Sequence, residues 1–385
     1  MPPRRLRLHT PGHGPILDAL ILYGLIEGVV VADPYAEVEV RPYSWAYEIE
    51  VETDAGGAEV GRAAAETLLS DLMVVEVLSP GNEITLELSE LSKFVKANLP
   101  QRSQLGTFLR RMKEAADQVA QGLFDPFKEY SDVEHALNRK EGRGSKKGKL
   151  TAHIPISGIY GKYVGSSFKA EAKGYHLCPL CSTLAWVGMV NYVPILSYFG
   201  KGETSVTYIV PQPTIPVEDV TALLALKDVA DTRRMERVLP RLRNVKVPAI
   251  AAPLVVLAVG ETTAALSDVG LIATVYEYGR AGGGYGVRTY GSVPLDRLLR
   301  FIEAAKLRSD KLTRLIQALI RTEEVGALAV LAETVAFGGL ERAYGALRTL
   351  RAALWQAERR DEEVRNAEVL LDEQLVEAIL ETTYT

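Results

Sequence analysis

Apolar residues in this chain change their period several times, and each change predicts an element. After Gly14 and Pro15 the run ILDALILYGLI has helical spacing. A glycine before a first-turn proline suits amides that have no helical partner. From Val29 alternation takes over. VVVADP, EVEVRPY and WAYEIEVE predict short strands parted by proline-containing turns, with charges on one face and Val, Ile, Trp or Tyr on the other. Residues 58–70 and 90–122 return to helical spacing, broken at Pro100 and ended at Asp125–Pro126.

Beyond a basic, glycine-rich stretch, residues 151–177 have little periodicity and a helix is expected from Pro179 or Ser182 to Met189. SVTYIVPQP, KVPAIAAPLVVLAV and LIATVYEYG predict strands, with helices near 217–239 between the first two. From Pro294 the character changes. On a wheel at about 100° per residue, residues 296–321 place Leu298, Phe301, Ile302, Ala305, Leu312, Ile316, Leu319 and Ile320 on one arc. Arg297, Arg300, Arg308, Lys311, Arg314 and Arg321 take much of the other side, the pattern of a bundle helix with a wet face. Three more helical patterns follow, broken at Gly338–Gly339. The expected class is α+β: a mixed or antiparallel sheet with flanking helices over 1–292, then a C-terminal helical bundle over 293–385.

Composition narrows the setting. The chain has 385 residues, 47% of them hydrophobic, enough for a sizeable core. The longest apolar candidate for a membrane span, 248–260, is short and interrupted by proline, and the opening MPPRRLRLHTPGHG breaks where a leader needs its apolar stretch. We therefore expect a cytoplasmic protein without a membrane partner. Few Asn and Gln beside plentiful Glu, Arg and Leu follow the direction of heat adaptation. The net charge of −5 excludes a bulk polycation, but its distribution is uneven. RKEGRGSKKGK, 139–149, carries six cations and one acid, whereas the last thirty residues hold nine acids against three arginines.

Two stretches offer chemistry. GYHLCPLCSTLAWVGMVNY, 174–192, contains the only cysteines, Cys178 and Cys181, in C-x-x-C spacing. A closed zinc site needs two more ligands, for which His176, His9, His13, His135 and His153 are the candidates; a redox pair or two buried thiols are the alternatives. YEYGRAGGGYGVRTYG, 276–291, lacks the G-K-[ST] of a P-loop and the helix of a dinucleotide fingerprint, so it predicts a β-hairpin with a glycine-rich tip. Arg280 and Arg288 among its tyrosines suit a phosphate backbone and base stacking. Lys146, Lys147 and Lys149 in the basic stretch, continued by Lys162 and Lys169, suit the same ligand when they are not simply solvated. No G-x-S-x-G, H-E-x-x-H or catalytic carboxylate pair stands out. The competing enzyme reading is a nucleotide-binding or metal-dependent activity over the glycine-rich loop 279–291; a third reading is a pure scaffold.

PGHGPILDALILYGLI, CPLCSTLAWVGM, and YEYGR followed by an Arg-Thr-Tyr strand and a proline-started helix together resemble the large-subunit proteins, Csa branch, of archaeal subtype I-A CRISPR effector complexes. The resemblance spans most of the chain. It implies a noncatalytic subunit that works with guide RNA, target DNA, the other effector subunits and a helicase-nuclease. In such complexes base pairing reads the target while protein reads a short duplex flank. It also implies a zinc arrangement of which only the first half, Cys178 and Cys181, is visible here. No other cofactor is expected.

Overall fold

In the computed structural model, the described residues are 4–43, 46–77, 112–143, 150–151, 175–200 and 203–384, less 240, 262, 268, 282–283, 309–310, 362–363 and 365–366. They fall into two units: residues 1–193, 212–221 and 284–287, and residues 194–211, 222–283 and 288–385. The architecture is α+β, as the periodicities predict.

The first unit is built on a helix without a wet face. Strand β1 (Arg4–His9) leads through the PGHG turn into α1 (Pro15–Ala32), whose residues from Ile16 to Val29 are all buried. Strands β2 (Glu37–Tyr43) and β3 (Ala46–Thr53) follow, and the antiparallel sheet runs β1-β3-β2. Leu8, Val38, Val40, Ile49 and Val51 face the core. Their alternates form an ionic outer face, where Glu50 of the central strand receives Arg5 at 2.8 Å and Arg7 at 3.0 Å. Those hydrogen bonds hold the Glu50 carboxyl down at a pKa of about 2.

Helix α2 (Gly57–Val77), a helix at 112–120 (α3), α4 (Pro126–Glu129) and α5 (His135–Asn138) come next. Short strands β4 (Gly142–Arg143), β5 (Leu150–Thr151) and β6 (Tyr175–Leu177) then form a small antiparallel sheet with β6 in its centre. Helix α6 (Pro179–Tyr192) is as completely buried as α1, and the two pack together. Their approach is reciprocal. A Cβ on Gly24 would lie 2.0 Å from the Leu184 carbonyl oxygen, and one on Gly188 would lie 2.0 Å from that of Leu20. Tyr23 stacks on Tyr192 at 5.1 Å, and the Tyr192 hydroxyl donates to Glu27 at 2.6 Å. By length and composition α1 would cross a membrane, but 78% of it is buried inside the protein, its two acids included.

The expected strand VVVADP is instead the end of α1. A β-branched run favours a strand locally, but the segment simply extends the buried helix before it, with Val29 still covered and Val31 51% exposed. Asp33 ends it, accepting from the Thr53 hydroxyl at 2.7 Å.

The second unit carries the sheet order β10-β9-β8-β7, with β7 (Ile195–Gly200) antiparallel to β8 (Glu203–Pro213). Short helices α7 (Thr221–Leu224), α8 (Leu226–Ala230) and α9 (Thr232–Val238) occupy the predicted region. KVPAIAAPLVVLAV, expected as a strand, forms α10 (Ala252–Val259), started by Pro253 near its N-terminus and buried throughout. A fully covered apolar run has no periodicity to separate the two states. Strands β9 (Leu271–Ala281) and β10 (Gly284–Pro294) are neighbours, as the glycine-tipped hairpin predicts.

The predicted arc from 296 to 321 is buried at all eight apolar positions, but on two helices, α11 (Leu295–Arg308) and α12 (Lys311–Arg321). Helices α13 (Val325–Phe337), α14 (Leu340–Arg360) and α15 (Glu373–Tyr384) complete the helical region. Gly338 and Gly339, with φ of 72° and 111°, make the break between α13 and α14.

Candidate metal centre and candidate nucleic-acid surfaces

Three segments of the first unit converge around the C-x-x-C. Cys178 precedes α6, and its sulfur accepts from the Cys181 amide at 3.3 Å, so the helix start itself points both thiols to one side. Pro179 opens the helix without wasting an amide. Both thiols are free and buried.

The second segment surrounds α5. Asp125 accepts from the Phe127 amide and starts α4, after which Tyr130 places its hydroxyl 3.3 Å from the Cys181 sulfur. His135 opens α5 with its Nδ1 3.0 Å from the Glu129 carbonyl. A carbonyl only accepts, so Nδ1 carries the hydrogen and Nε2 faces inward. Nε2 lies 3.6 Å from the Cys178 sulfur and 3.5 Å from a Glu141 oxygen. Lys140 then takes the left-handed region, φ 51°, and the turn it makes sends Glu141 inward.

The third segment is the PGHG turn. Asp18 accepts from the amides of Gly12 at 2.9 Å and Gly14 at 2.6 Å, clamping the loop between them. That loop presents His13 Nε2 3.0 Å from the second Glu141 oxygen, and neither side chain reaches solvent. Desolvation raises the Asp18 pKa, against the pull of His13 and of the two amides.

His135, Glu141, Cys178 and Cys181 thus offer four ligand atoms all within 4.8 Å of one another. The electrostatics are those of an ionic cluster. Burial disfavours the His135 imidazolium, but Cys178 and Glu141 outweigh it and raise its pKa to about 10. Burial likewise opposes the Glu141 carboxylate, yet His13 and His135 hold it well below the ordinary range. The Cys181 side chain, then His135 and the Cys181 amide, lower Cys178 against the effect of burial, while burial and Cys178 push Cys181 up. The histidines lie at ion-pair distance from Glu141 but out of hydrogen-bond alignment, leaving both its buried oxygens without an aligned donor.

Of the histidines the sequence nominates, the structure brings in His135 as a direct neighbour of the thiols and His13 behind Glu141. His176, nearest in sequence, lies on β6 outside the cluster, and His9 faces Glu48 at 3.5 Å. His153 lies outside the described residues. Glu141 was missed. It is the single acid of the basic run 139–149, where a charge run reads as solvated, and nothing in the linear pattern marks it as buried.

The predicted nucleic-acid residues divide differently. Lys146, Lys147, Lys149, Lys162 and Lys169 lie outside the described residues. Arg280 is on β9 and Arg288 on β10, neighbouring strands. The basic stripe of α11 and α12 behaves as a bundle's wet face: Arg300 pairs with Asp296, Lys311 with Asp372 at 2.8 Å and Arg321 with Asp361.

A different surface was not foreseen. Along α14, Tyr344, Arg348, Arg351, Trp355 and Arg359 share one exposed face at helical spacing. Tyr344 is 58% and Trp355 50% exposed, and the Arg359 guanidinium lies 4.7 Å over the Trp355 ring. Among the described residues no carboxylate pairs with Arg348 or Arg351.

Comparison with known proteins adds two findings. A family model described as "CRISPR-associated protein (Cas_Csa4)" matches residues 6–367. A protein of Thermoproteus tenax named "CRISPR system associated protein Cas8" is 28% identical over 375 residues, covering 90% of this chain and 92% of its own length.

Proposed function

Because this chain belongs to the CRISPR-associated Cas_Csa4 family, a family of CRISPR large subunits, we propose that it is the noncatalytic large subunit of a type I-A RNA-guided interference complex. In this reading it works in the cytoplasm beside guide RNA, target DNA and the other effector subunits. It contributes to recognition of the target duplex and its flanking motif, and to recruitment of the helicase-nuclease. The division of labour is physically sound. Pairing with the guide supplies sequence specificity, so the protein needs only a few groove contacts and phosphate neutralisation.

The observation that carries the reading is the match along residues 6–367. The charge distribution supports it. In a subunit of net charge −5, six cations fall within the eleven residues 139–149 and three arginines share the exposed α14 face. On α14, three arginine forks and two exposed aromatic rings share one face, which suits a polynucleotide that offers phosphates and base faces together.

The test is duplex binding by the reconstituted, guide-loaded assembly across a salt series. Lys146, Lys147 and Lys149 are changed to alanine in one variant, Arg280 and Arg288 in another. Each lost phosphate contact flattens the logarithmic salt slope by about 0.9. Unchanged slopes in both variants remove these residues from the interface, and unchanged binding by an assembly lacking this chain refutes the role itself.

A further inference from the structure

We propose that His135, Glu141, Cys178 and Cys181 bind one zinc ion as a closed structural site, with His13 as the positioning residue behind Glu141. The visible Cys pair is thereby completed not by a second Cys pair but by a histidine and a carboxylate from the turn around α5.

Distance is the first argument. Zinc holds sulfur at about 2.3 Å and nitrogen or oxygen at about 2.0–2.2 Å, so tetrahedral ligands stand about 3.6 Å apart for an S,N pair and about 3.4 Å for an N,O pair. The separations here are 3.6 Å for Cys178–His135 and 3.5 Å for His135–Glu141. Donor chemistry is the second. With Nδ1 committed to the Glu129 carbonyl, the His135 lone pair at Nε2 faces a sulfur and a carboxylate, which are electron-pair donors too. Three such groups converging on buried side chains are stabilised by a cation between them, either a proton on Nε2 or a metal ion that replaces it. The third argument is support around the ligands. Glu129 orients His135, Tyr130 meets Cys181, and His13 meets the outer Glu141 oxygen, the kind of partners that fix metal ligands.

Burial makes this a closed, four-ligand site rather than a catalytic one, which would keep a position open to water. Its consequence is topological. Glu141 directly precedes β4 and Cys178 directly follows β6, so the ion ties together both ends of the segment 142–177, in which Lys146, Lys147, Lys149, Lys162 and Lys169 lie. That consequence for nucleic-acid binding rests on the proposed function; the metal site does not.

The experiment uses the full chain purified without chelator. Elemental analysis is expected to give about one zinc per chain. After the metal is stripped, Co(II) is expected to restore the visible bands of a tetrahedral site together with thiolate-to-cobalt charge transfer. Cys178→Ser removes the charge-transfer intensity expected from that thiolate, and His135→Gln and Glu141→Gln each shift the visible bands and weaken binding. His13→Gln keeps the ligand spectrum but lowers affinity about 10- to 100-fold. If a variant fails to fold, the wild type decides alone: Cys178 and Cys181 resist alkylation when zinc-loaded and react after chelation. Zinc below about 0.1 per chain with no Co(II) band overturns the site, leaving a proton on His135 as the cation. A Co(II) spectrum indifferent to both His135→Gln and Glu141→Gln overturns the ligand set.

Discussion

Replacing Gly188 with alanine puts a methyl group where α1 and α6 touch through their backbones. The new Cβ would stand 2.0 Å from the Leu20 carbonyl oxygen, against 3.4 Å or more in an ordinary contact, so about 1.4 Å must be recovered by moving one helix. The obstacle is a main-chain carbonyl inside a buried helix, which no rotamer change relieves. Overpacking of this kind costs about 1–3 kcal/mol, and a backbone obstacle lies toward the upper end. Helix propensity acts the other way, favouring alanine over glycine by about 1 kcal/mol. The net expectation is a loss of about 2 kcal/mol, with Gly24→Ala equivalent because its contact with Leu184 is the reciprocal one. Gly345, on the exposed side of α14 with nothing within 4 Å of a built Cβ, isolates the propensity term, and Gly345→Ala is expected to gain up to about 1 kcal/mol. Urea unfolding followed by tryptophan emission reads the first unit through buried Trp186, and far-ultraviolet circular dichroism reads the whole chain. If Gly188→Ala raises the urea midpoint as Gly345→Ala does, the close approach of α1 and α6 is wrong.

Other outcomes follow from the same geometry. Glu50 has a folded pKa of about 2 against an ordinary 4.5, so its contribution is full above about pH 4.5 and is lost as pH falls toward 2. Thermal melts over that window should show a shallower acid decline for Glu50→Gln than for wild type; parallel declines would mean the Arg5 and Arg7 pairs do not persist in solution. Chelation should lower the melting temperature of the wild type and leave Cys178→Ser unmoved, and equal sensitivity of both would separate stability from the Cys site. On α14, Trp355→Ala in the assembled complex should weaken single-strand binding by about 1–3 kcal/mol, and Arg348→Ala with Arg351→Ala should each flatten its salt slope by about 0.7. Filter-binding titrations that match the parent at every salt concentration would assign that face to a protein neighbour.

What the linear pattern determines here is whatever depends on neighbours in sequence. The alternation in EVEVRPY and WAYEIEVE, the Gly-Pro start of α1, the proline-opened helix after Cys178 and the apolar arc from Leu298 to Ile320 are local periodicities. Each appears in the fold where the pattern puts it. The family resemblance carried by scattered motifs was legible too, because those motifs keep their order along the chain.

Tertiary structure decided the rest, because burial is a property of what packs around a segment. Ala252–Val259 has the composition of a strand and is a helix, since covering every side removes the amphipathic signal that separates the two, and Val29–Ala32 is a helix because it continues the buried α1. Glu141, one acid among six cations in sequence, becomes a buried charge only when the PGHG turn and α5 bring His13 and His135 to it. The C-x-x-C spacing marked two of the four side chains that cluster here; the other two come from 37 or more residues upstream, joined to them by folding alone.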